Sequence, residues 1–298
     1  VTVRLPDERS GPARARLLVV VAVPAEADAV LRGLGAPAER VPLPGGALER
    51  VALPCGATVD VLAGGVGPGA AAAAAATALT AARYDLVVSA GIAGGFAPRA
   101  PIGATVVATG IVAADLGAET PEGFADVTEL GFGTVRHTPA PAAVALAAEA
   151  LRAAGASTVT TGTVLTVSTV TGSAGRAAAL TARHPDAVAE AMEGFGVAEA
   201  ADRHGVPAFE LRTVSNPVGP RDRTAWRIGE ALGALERAFA VLPFPALADS
   251  GSSGTGSPGT GSSGTGSPAS EAVTSGPPNS RRAEPPGPRR TPKEAGRG

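Results

Sequence analysis

Seven consecutive apolar residues, Leu17–Val23 (LLVVVAV), constrain this chain more than any other segment. A short run with no polar face fits a strand covered on both sides, as in a parallel sheet packed between helices. Pro24 ends the run, and AEADAVLRGL then reads as a helix. The same alternation continues. Val59–Ala63 predicts a strand, broken by GGVGPG (Gly64–Gly69), and Ala70–Ala82 has strong helix propensity. Asp85–Ala90 predicts a third strand with a Gly loop, GIAGG (Gly91–Gly95), behind it, and Ala104–Val112 a fourth. Pro141–Ala154 reads as a helix and Val159–Ser168 as a Val- and Thr-rich strand. Ser173 is placed to cap a helix running to about Arg183. Glu190–His204 reads as a helix, Pro207–Val214 as a buried strand, and Thr224 as the cap of a last helix. Ile228, Leu232, Leu235 and Phe239 share one face of that helix. Strand and helix in alternation predict an α/β chain: a three-layer αβα sandwich with a central mixed, mostly parallel sheet.

The apolar residues that could build such a core are confined to part of the chain. Residues 1–15 read as a disordered leader and 16–247 as the one folded domain. GSSGTGSP occurs twice beyond it, at Gly251–Pro258 and Gly261–Pro268, so 248–298 reads as a flexible tail that buries too little apolar area to offset its ordering entropy. The formal net charge of -2 points to neither a nucleic acid nor a membrane surface as partner. Cys55 is the single cysteine, which fits a cytoplasmic protein. The start has no apolar core of signal-peptide type, and no apolar run reaches the ~18 residues of a membrane-spanning helix.

Several familiar chemistries find little support. Gly65–Ala70 resembles a dinucleotide fingerprint, but the next strand ends in Ser89-Ala90-Gly91 without the acid that would hold a ribose. A tight turn that lets helix and strand pack closely is the simpler reading. His137, His184 and His204 are isolated, so no metal site is indicated, and no GxSxG elbow occurs. Three polar residues instead sit where α/β proteins place active sites, at strand ends: Glu26, Glu193 and Asn216. Each also has a plainer role open to it. Either Glu could stabilise a helix N-terminus, and Asn216 could start the turn before Pro217.

Together these residues resemble the nucleoside phosphorylase and nucleosidase superfamily over residues 17–242. Glu26 falls where the related methylthioadenosine/adenosylhomocysteine nucleosidases carry their water-activating Glu, although Pro24 and Ala25 replace neighbouring acids. SAGIAGG (Ser89–Gly95) matches the family's Gly-rich segment, Met192-Glu193 its ribose-holding pair, and Arg212-Thr213-Val214-Ser215-Asn216 its Arg-x-x-Ser-Asp. The resemblance implies a nucleoside phosphorylase-like fold, a purine nucleoside substrate, no metal or organic cofactor and a homo-oligomer.

The departures choose the branch. Bacterial phosphorylases bind phosphate through an Arg three residues before a Ser in the Gly-rich segment. Here Ser89 and Ile92 occupy those positions, so phosphate lacks a bidentate partner and water is the expected nucleophile. Adenine-specific members carry Asp where this chain has Asn216. An amide can offer its NH2 group to the two acceptors of a 6-oxopurine, O6 and N7. The segments ADLGAETPEGF (Ala114–Phe124), EAMEGFG and VSNPVGPRDR look like those of futalosine hydrolases in particular. The resemblance implies hydrolysis of futalosine to hypoxanthine and dehypoxanthinyl futalosine, a step of menaquinone synthesis. Glu26 is then the general base and Glu193, with Met192, holds the ribose. Asn216 stabilises the departing purine and Arg212 helps to fix the water. Gly91 and Ile92 line the site, while the backbone of Thr169 and Val170 flanks the base. Arg221 or Arg223 could meet the substrate's benzoate, or be solvated. A 6-oxopurine nucleoside phosphorylase, a non-catalytic nucleoside-binding protein and an adenine-linked nucleosidase remain as alternatives.

Overall fold

The computed structural model describes residues 15–252. The expected leader, apart from Ala15, and the expected tail beyond Ser252 lie outside them.

The chain runs β1 (Arg16–Val21), α1 (Pro24–Leu34), β2 (Ala38–Leu43), β3 (Gly46–Ala52), β4 (Thr58–Ala63), α2 (Pro68–Ala81), β5 (Leu86–Gly95) and β6 (Thr105–Ala113). Three short strands follow, β7 (Gly117–Thr120), β8 (Gly123–Asp126) and β9 (Arg136–His137). The second half is α3 (Pro141–Ala153), β10 (Val159–Thr166), α4 (Ala174–Arg183), β11 (Ala187–Ala191), α5 (Gly194–Arg203), β12 (Ala208–Pro217), α6 (Ile228–Phe239) and α7 (Phe244–Ser252). The main sheet has the order β11-β10-β6-β12-β5-β1-β4-β3-β2, with β9 on β6 and the far end of β5 also meeting β11. Its central strands β4, β1, β5 and β12 run parallel, as do β6, β10 and β11, while β12 meets β6 antiparallel.

The opening apolar run behaves as its pattern requires. Leu17, Val19 and Val21 point into a core shared with α1, α6 and α7, and Leu18 and Val20 into a second core shared with α2 and α5. A strand with both faces in apolar cores has no position for a polar residue, hence the uninterrupted sequence. The three-layer sandwich follows directly from that double burial. On the second face, α5 crosses α2 so closely that a Cβ on Gly196 would collide with the Pro68 backbone.

Several local expectations need correction. Pro24 starts α1 rather than merely ending β1, since the first helical position needs no N–H donor. GIAGG is no loop: β5 continues through it to Gly95, because β12 on one side and β11 on the other satisfy its backbone. The helix expected from Glu190 begins only at Gly194, and Ala187–Ala191 is a strand buried beside β10. Ser173 does cap α4, accepting from the Arg176 N–H at 3.2 Å. Thr224 does not cap the following helix. It lies in a 3-10 turn, Arg223–Ala225, capped by Asp222, and α6 starts after Arg227. Leu235 and Phe239 of α6 are buried, but Ile228 at its first turn is 43 % exposed. The boundary expected after Leu247 falls inside α7, where Ala248 is buried.

Candidate active site

The polar residues singled out from the sequence gather at the C-terminal ends of β1, β5, β11 and β12. Two residues separate β1 from α1, so the first turn of the helix is drawn back against the strand end. Val23, the N-cap, has no polar side chain, and the Glu26 carboxylate at the third helical position supplies only the reciprocal half of a capping box, reaching back to the N–H groups at the cap. Its Oε2 accepts from the N–H groups of Ala22 and Val23 at 2.9 and 3.2 Å, and its Oε1 from the Ile92 N–H at 2.8 Å. Glu26 is 3 % exposed. These three bonds leave the carboxylate with acceptor capacity for about one further donor.

Gly91 sits at the same point. A Cβ there would lie 2.5 Å from Glu26 Oε1 and 2.9 Å from Arg212 Nη1, and its φ of +149° is one that side-chain-bearing residues rarely adopt. Glycine therefore allows Glu26 and Arg212 to approach each other across β5. Register accounts for the rest, since Arg212 pairs with Gly91 and Glu210 with Ser89 along the parallel β12–β5 ladder.

Arg212 is wholly buried, and each guanidinium nitrogen has a partner. Nε donates to Glu210 Oε1 at 2.9 Å, Nη1 to Glu193 Oε2 at 3.2 Å and Nη2 to Ser89 Oγ at 2.9 Å. Burial works hardest against its charge, yet Glu210, Glu193 and Glu26 together push its pKa above the usual arginine value. Glu210 is raised above the usual carboxylate range, by burial first, with Arg212 opposing. Its second oxygen, Oε2, has no hydrogen-bond partner among the described residues. Glu193, at the N-cap of α5, also accepts from Gly67 N at 3.2 Å through Oε1, and the half-buried Met192 immediately precedes it. The turn GGVGPG thus supplies a donor to an acidic side chain.

Asn216 lies at the end of β12, just past a register shift between Val214 and Asn216. Such a bulge re-aims a side chain at a strand end. The Ser215 hydroxyl lies 2.8 Å from Asn216 Oδ1, and Asn216 Nδ2 donates to the Pro217 carbonyl at 3.1 Å. With Oδ1 facing a hydroxyl, the NH2 end is what the amide offers outward, and one of its two hydrogens remains uncommitted. Thr169 and Val170 are exposed in the loop after β10. Arg221 and Arg223 are both exposed, and the Arg221 guanidinium lies 5.7 Å from the centre of the Trp226 ring.

The structure thus brings Glu26, Gly91, Ile92, Arg212 and Glu193 together: Glu26 is bonded to Ile92 and Arg212 to Glu193, and the two pairs meet at Gly91. Thr169, Val170, Arg221 and Arg223 form no hydrogen bond to these residues. Sequence reasoning missed Ser89, Ser215 and Glu210 as parts of the site. Glu210 had a visible signal: an acid inside an apolar strand, two residues from Arg212 and therefore on the same face. A 680 Å³ cavity lined by Arg136, His137, Asp202, Pro207 and Ser250 lies at the opposite, N-terminal end of β12 and contains none of these residues. Among the described residues, no group of three or more His, Cys, Asp or Glu is arranged to hold a metal ion, and no single helix is long and apolar enough to cross a membrane.

The phosphorylase superfamily model matches residues 16–242. A futalosine hydrolase from Streptomyces coelicolor is 62 % identical over 231 residues, covering 76 % of this chain and 94 % of that protein. A futalosine hydrolase from Acidothermus cellulolyticus is 49 % identical over 225 residues, 76 % of this chain and 89 % of that one. Among solved structures, futalosine hydrolase of Helicobacter pylori superposes with a TM-score of 0.67 at 18 % identity, covering 79 % of this chain and 97 % of that one, a likeness of fold. The chain belongs to the phosphorylase superfamily and, within it, to the futalosine hydrolases.

Proposed function

We propose that the protein hydrolyses the N-glycosidic bond of futalosine, releasing hypoxanthine and dehypoxanthinyl futalosine within menaquinone synthesis. The observation that carries the chemistry is the charge of the buried cluster: three carboxylates, Glu26, Glu193 and Glu210, surround one guanidinium, Arg212. Excess negative charge in a dry site favours a substrate that becomes cationic. As the C1′–N9 bond lengthens, the ribose gains oxocarbenium character, and fixed anions stabilise that charge without reorganising.

Within this reading Glu26 is the general base. Its three backbone bonds hold the carboxylate rigid, and its remaining acceptor site takes the proton of the attacking water. Glu193 receives the ribose hydroxyls, with Met192 beneath the sugar. Arg212 is a positioning residue rather than a ligand of the water, because it is wholly buried and bonded to Glu193, Glu210 and Ser89. Asn216 donates its free amide hydrogen to the N7/O6 edge of the departing hypoxanthine, stabilising charge without transferring a proton. Phosphate is not the acceptor: the residue in the place of the phosphorylase arginine is Ser89, whose hydroxyl already receives Arg212. We also place the enzyme in the cytoplasm as a homo-oligomer, a state that sedimentation of the purified protein tests.

The experiment is incubation with futalosine, aminofutalosine, inosine and methylthioadenosine, without and with phosphate, followed by chromatography of the bases. Hypoxanthine from futalosine, at a rate independent of phosphate, is expected. Phosphate-dependent release would mean a phosphorylase, and binding without release a nucleoside-binding protein. Asn216→Asp sharpens the substrate assignment. It sets an acceptor against O6, so the ratio of kcat/KM for futalosine over aminofutalosine should fall about tenfold to several hundredfold. An unchanged ratio would move base selection away from Asn216.

A further inference from the structure

Glu190 is a buried carboxylate that the mechanism above does not use. It lies in β11, is 4 % exposed and is held above the usual carboxylate range by burial, against the pull of its own hydrogen bonds. Both its oxygens bond to one residue: Oε1 accepts from Thr171 N at 2.8 Å and Oε2 from Thr171 Oγ1 at 2.5 Å. Three residues earlier the same loop is held by another carboxylate, since Asp115 Oδ2 accepts from Ser168 N at 2.8 Å. Between these anchors Thr169 and Val170 are exposed, and their backbone groups form no hydrogen bond among the described residues. A buried carboxylate is a costly way to fix a loop unless the loop's position matters.

Register shows what that position faces. Glu190 pairs with Gly94 on one side of β5, and Asn216 pairs with the same Gly94 on the other. The anchor of the loop and the amide of Asn216 therefore flank one residue, two strand spacings or about 9–10 Å apart. We propose that Glu190 is a positioning residue for base recognition: by gripping Thr171 at two points it fixes the Thr169–Val170 backbone as the jaw opposite Asn216, where peptide groups bond the six-membered ring edge of a 6-oxopurine. The inference rests on the futalosine reading, in which Asn216 takes the N7/O6 edge. Hypoxanthine carries an N1–H donor on the remaining edge, which a backbone carbonyl can accept.

The test uses the full chain as wild type, Glu190→Gln, Thr171→Val and Thr171→Ser. Inhibition by hypoxanthine alone and by dehypoxanthinyl futalosine alone is measured, along with kcat and KM for futalosine and the Tm. Glu190→Gln keeps one acceptor for the Thr171 N–H and replaces the other by an NH2 group, so the charge-assisted bond from the Thr171 hydroxyl is lost. Inhibition by hypoxanthine should weaken about tenfold or more, while inhibition by the sugar product stays within about twofold. KM for futalosine should rise more than kcat falls. Thr171→Ser keeps both bonds and should behave as wild type. Thr171→Val keeps only the backbone bond and should weaken hypoxanthine about threefold; it carries the test if Glu190→Gln fails to fold. Equal weakening of both inhibitors, or of neither, would overturn the proposal. Wild-type protein that binds hypoxanthine but releases none from futalosine would overturn the substrate reading instead, and the clamp would still be judged on hypoxanthine alone.

Discussion

Two buried ionic clusters in this molecule are built to opposite plans. In the first, Asp60 is completely buried and accepts from Arg16 Nη2 at 2.7 Å, from Arg50 Nε at 2.8 Å and Nη2 at 3.0 Å, and from the Tyr84 hydroxyl at 2.7 Å. One anion meets two cations, whose side chains keep 29 % and 32 % of their surface in solvent. The carboxylate is wholly desolvated and its acceptor sites are filled, while the two guanidinium groups stay partly in solvent, although Arg16 Nε is buried without a hydrogen-bond partner among the described residues. In the second, one guanidinium serves three carboxylates, Arg212 and Glu210 are both fully buried, and Glu210 Oε2 has no partner among the described residues. The first joins β1, β3 and β4 to the segment before β5. The second is electrostatically unfinished. On the proposed mechanism the net negative charge of this second cluster lies where the ribose becomes cationic.

Substitutions test that contrast. The largest effect is expected from Glu26→Gln, which keeps shape but removes basicity; its one carbonyl oxygen can keep the bonds from Ala22 and Val23, while its NH2 group then faces the Ile92 N–H. Turnover should fall by about 10²–10⁴ while substrate still binds, as single-turnover kinetics and equilibrium binding would show. Near-normal turnover would remove Glu26 as the base. Asp60→Asn should do the reverse. Disrupting a buried pair typically costs about 3–5 kcal/mol, so denaturant unfolding should show a loss of that order, with kcat per folded molecule unchanged. A matching loss of kcat would mean that the two clusters are coupled.

A smaller effect separates the clusters by pH. Asp60 is held below the usual carboxylate range because the hydrogen bonds from Arg50, Arg16 and Tyr84 outweigh the larger single effect, its desolvation. Its ionised form is favoured by folding, so its contribution is complete above the unfolded pKa and lost as pH falls through the lower, folded one. Glu210 has a raised pKa, so the protonated form is favoured by folding. Its contribution is complete below the unfolded pKa and lost as pH rises through the folded one. Unfolding free energies measured across acid to neutral pH should lose the acid limb in Asp60→Asn and the opposing slope in Glu210→Gln. Glu210→Gln keeps an acceptor for Arg212 Nε, so a loss of turnover within about tenfold is expected; parallel pH curves for the two variants would erase the distinction.

Much of this is legible in the residues alone. LLVVVAV specifies a strand buried on both faces because apolar continuity at that length leaves few alternatives. Glu26, Arg212 and Glu193, marked by strand-end position and family resemblance, converge in space. The failures share a cause. GIAGG looks like a loop because glycine lacks strand propensity, and EAMEGFG looks like the start of a helix because Glu190, Ala191, Met192 and Glu193 favour helices. In both, pairing between β5, β11 and β12 decides the outcome, and pairing partners distant in the chain leave no local trace. The edge strand β2 and its neighbour β3 escape notice for the same reason, as half-exposed segments without a continuous apolar run.

The sequence by itself determined the layers, the order of most elements and the residue types gathered at the strand ends, because burial on one or two faces is written directly into apolar periodicity. Only the tertiary structure decided that Glu210 lies against Arg212 with its second oxygen unpartnered among the described residues, that Gly91 yields its side-chain volume to Glu26 and Arg212, and that Glu190 and Asn216 flank the same residue of β5. These are relations between strands, fixed by register. A shift of one residue would turn each side chain to the other face while leaving the sequence pattern unchanged.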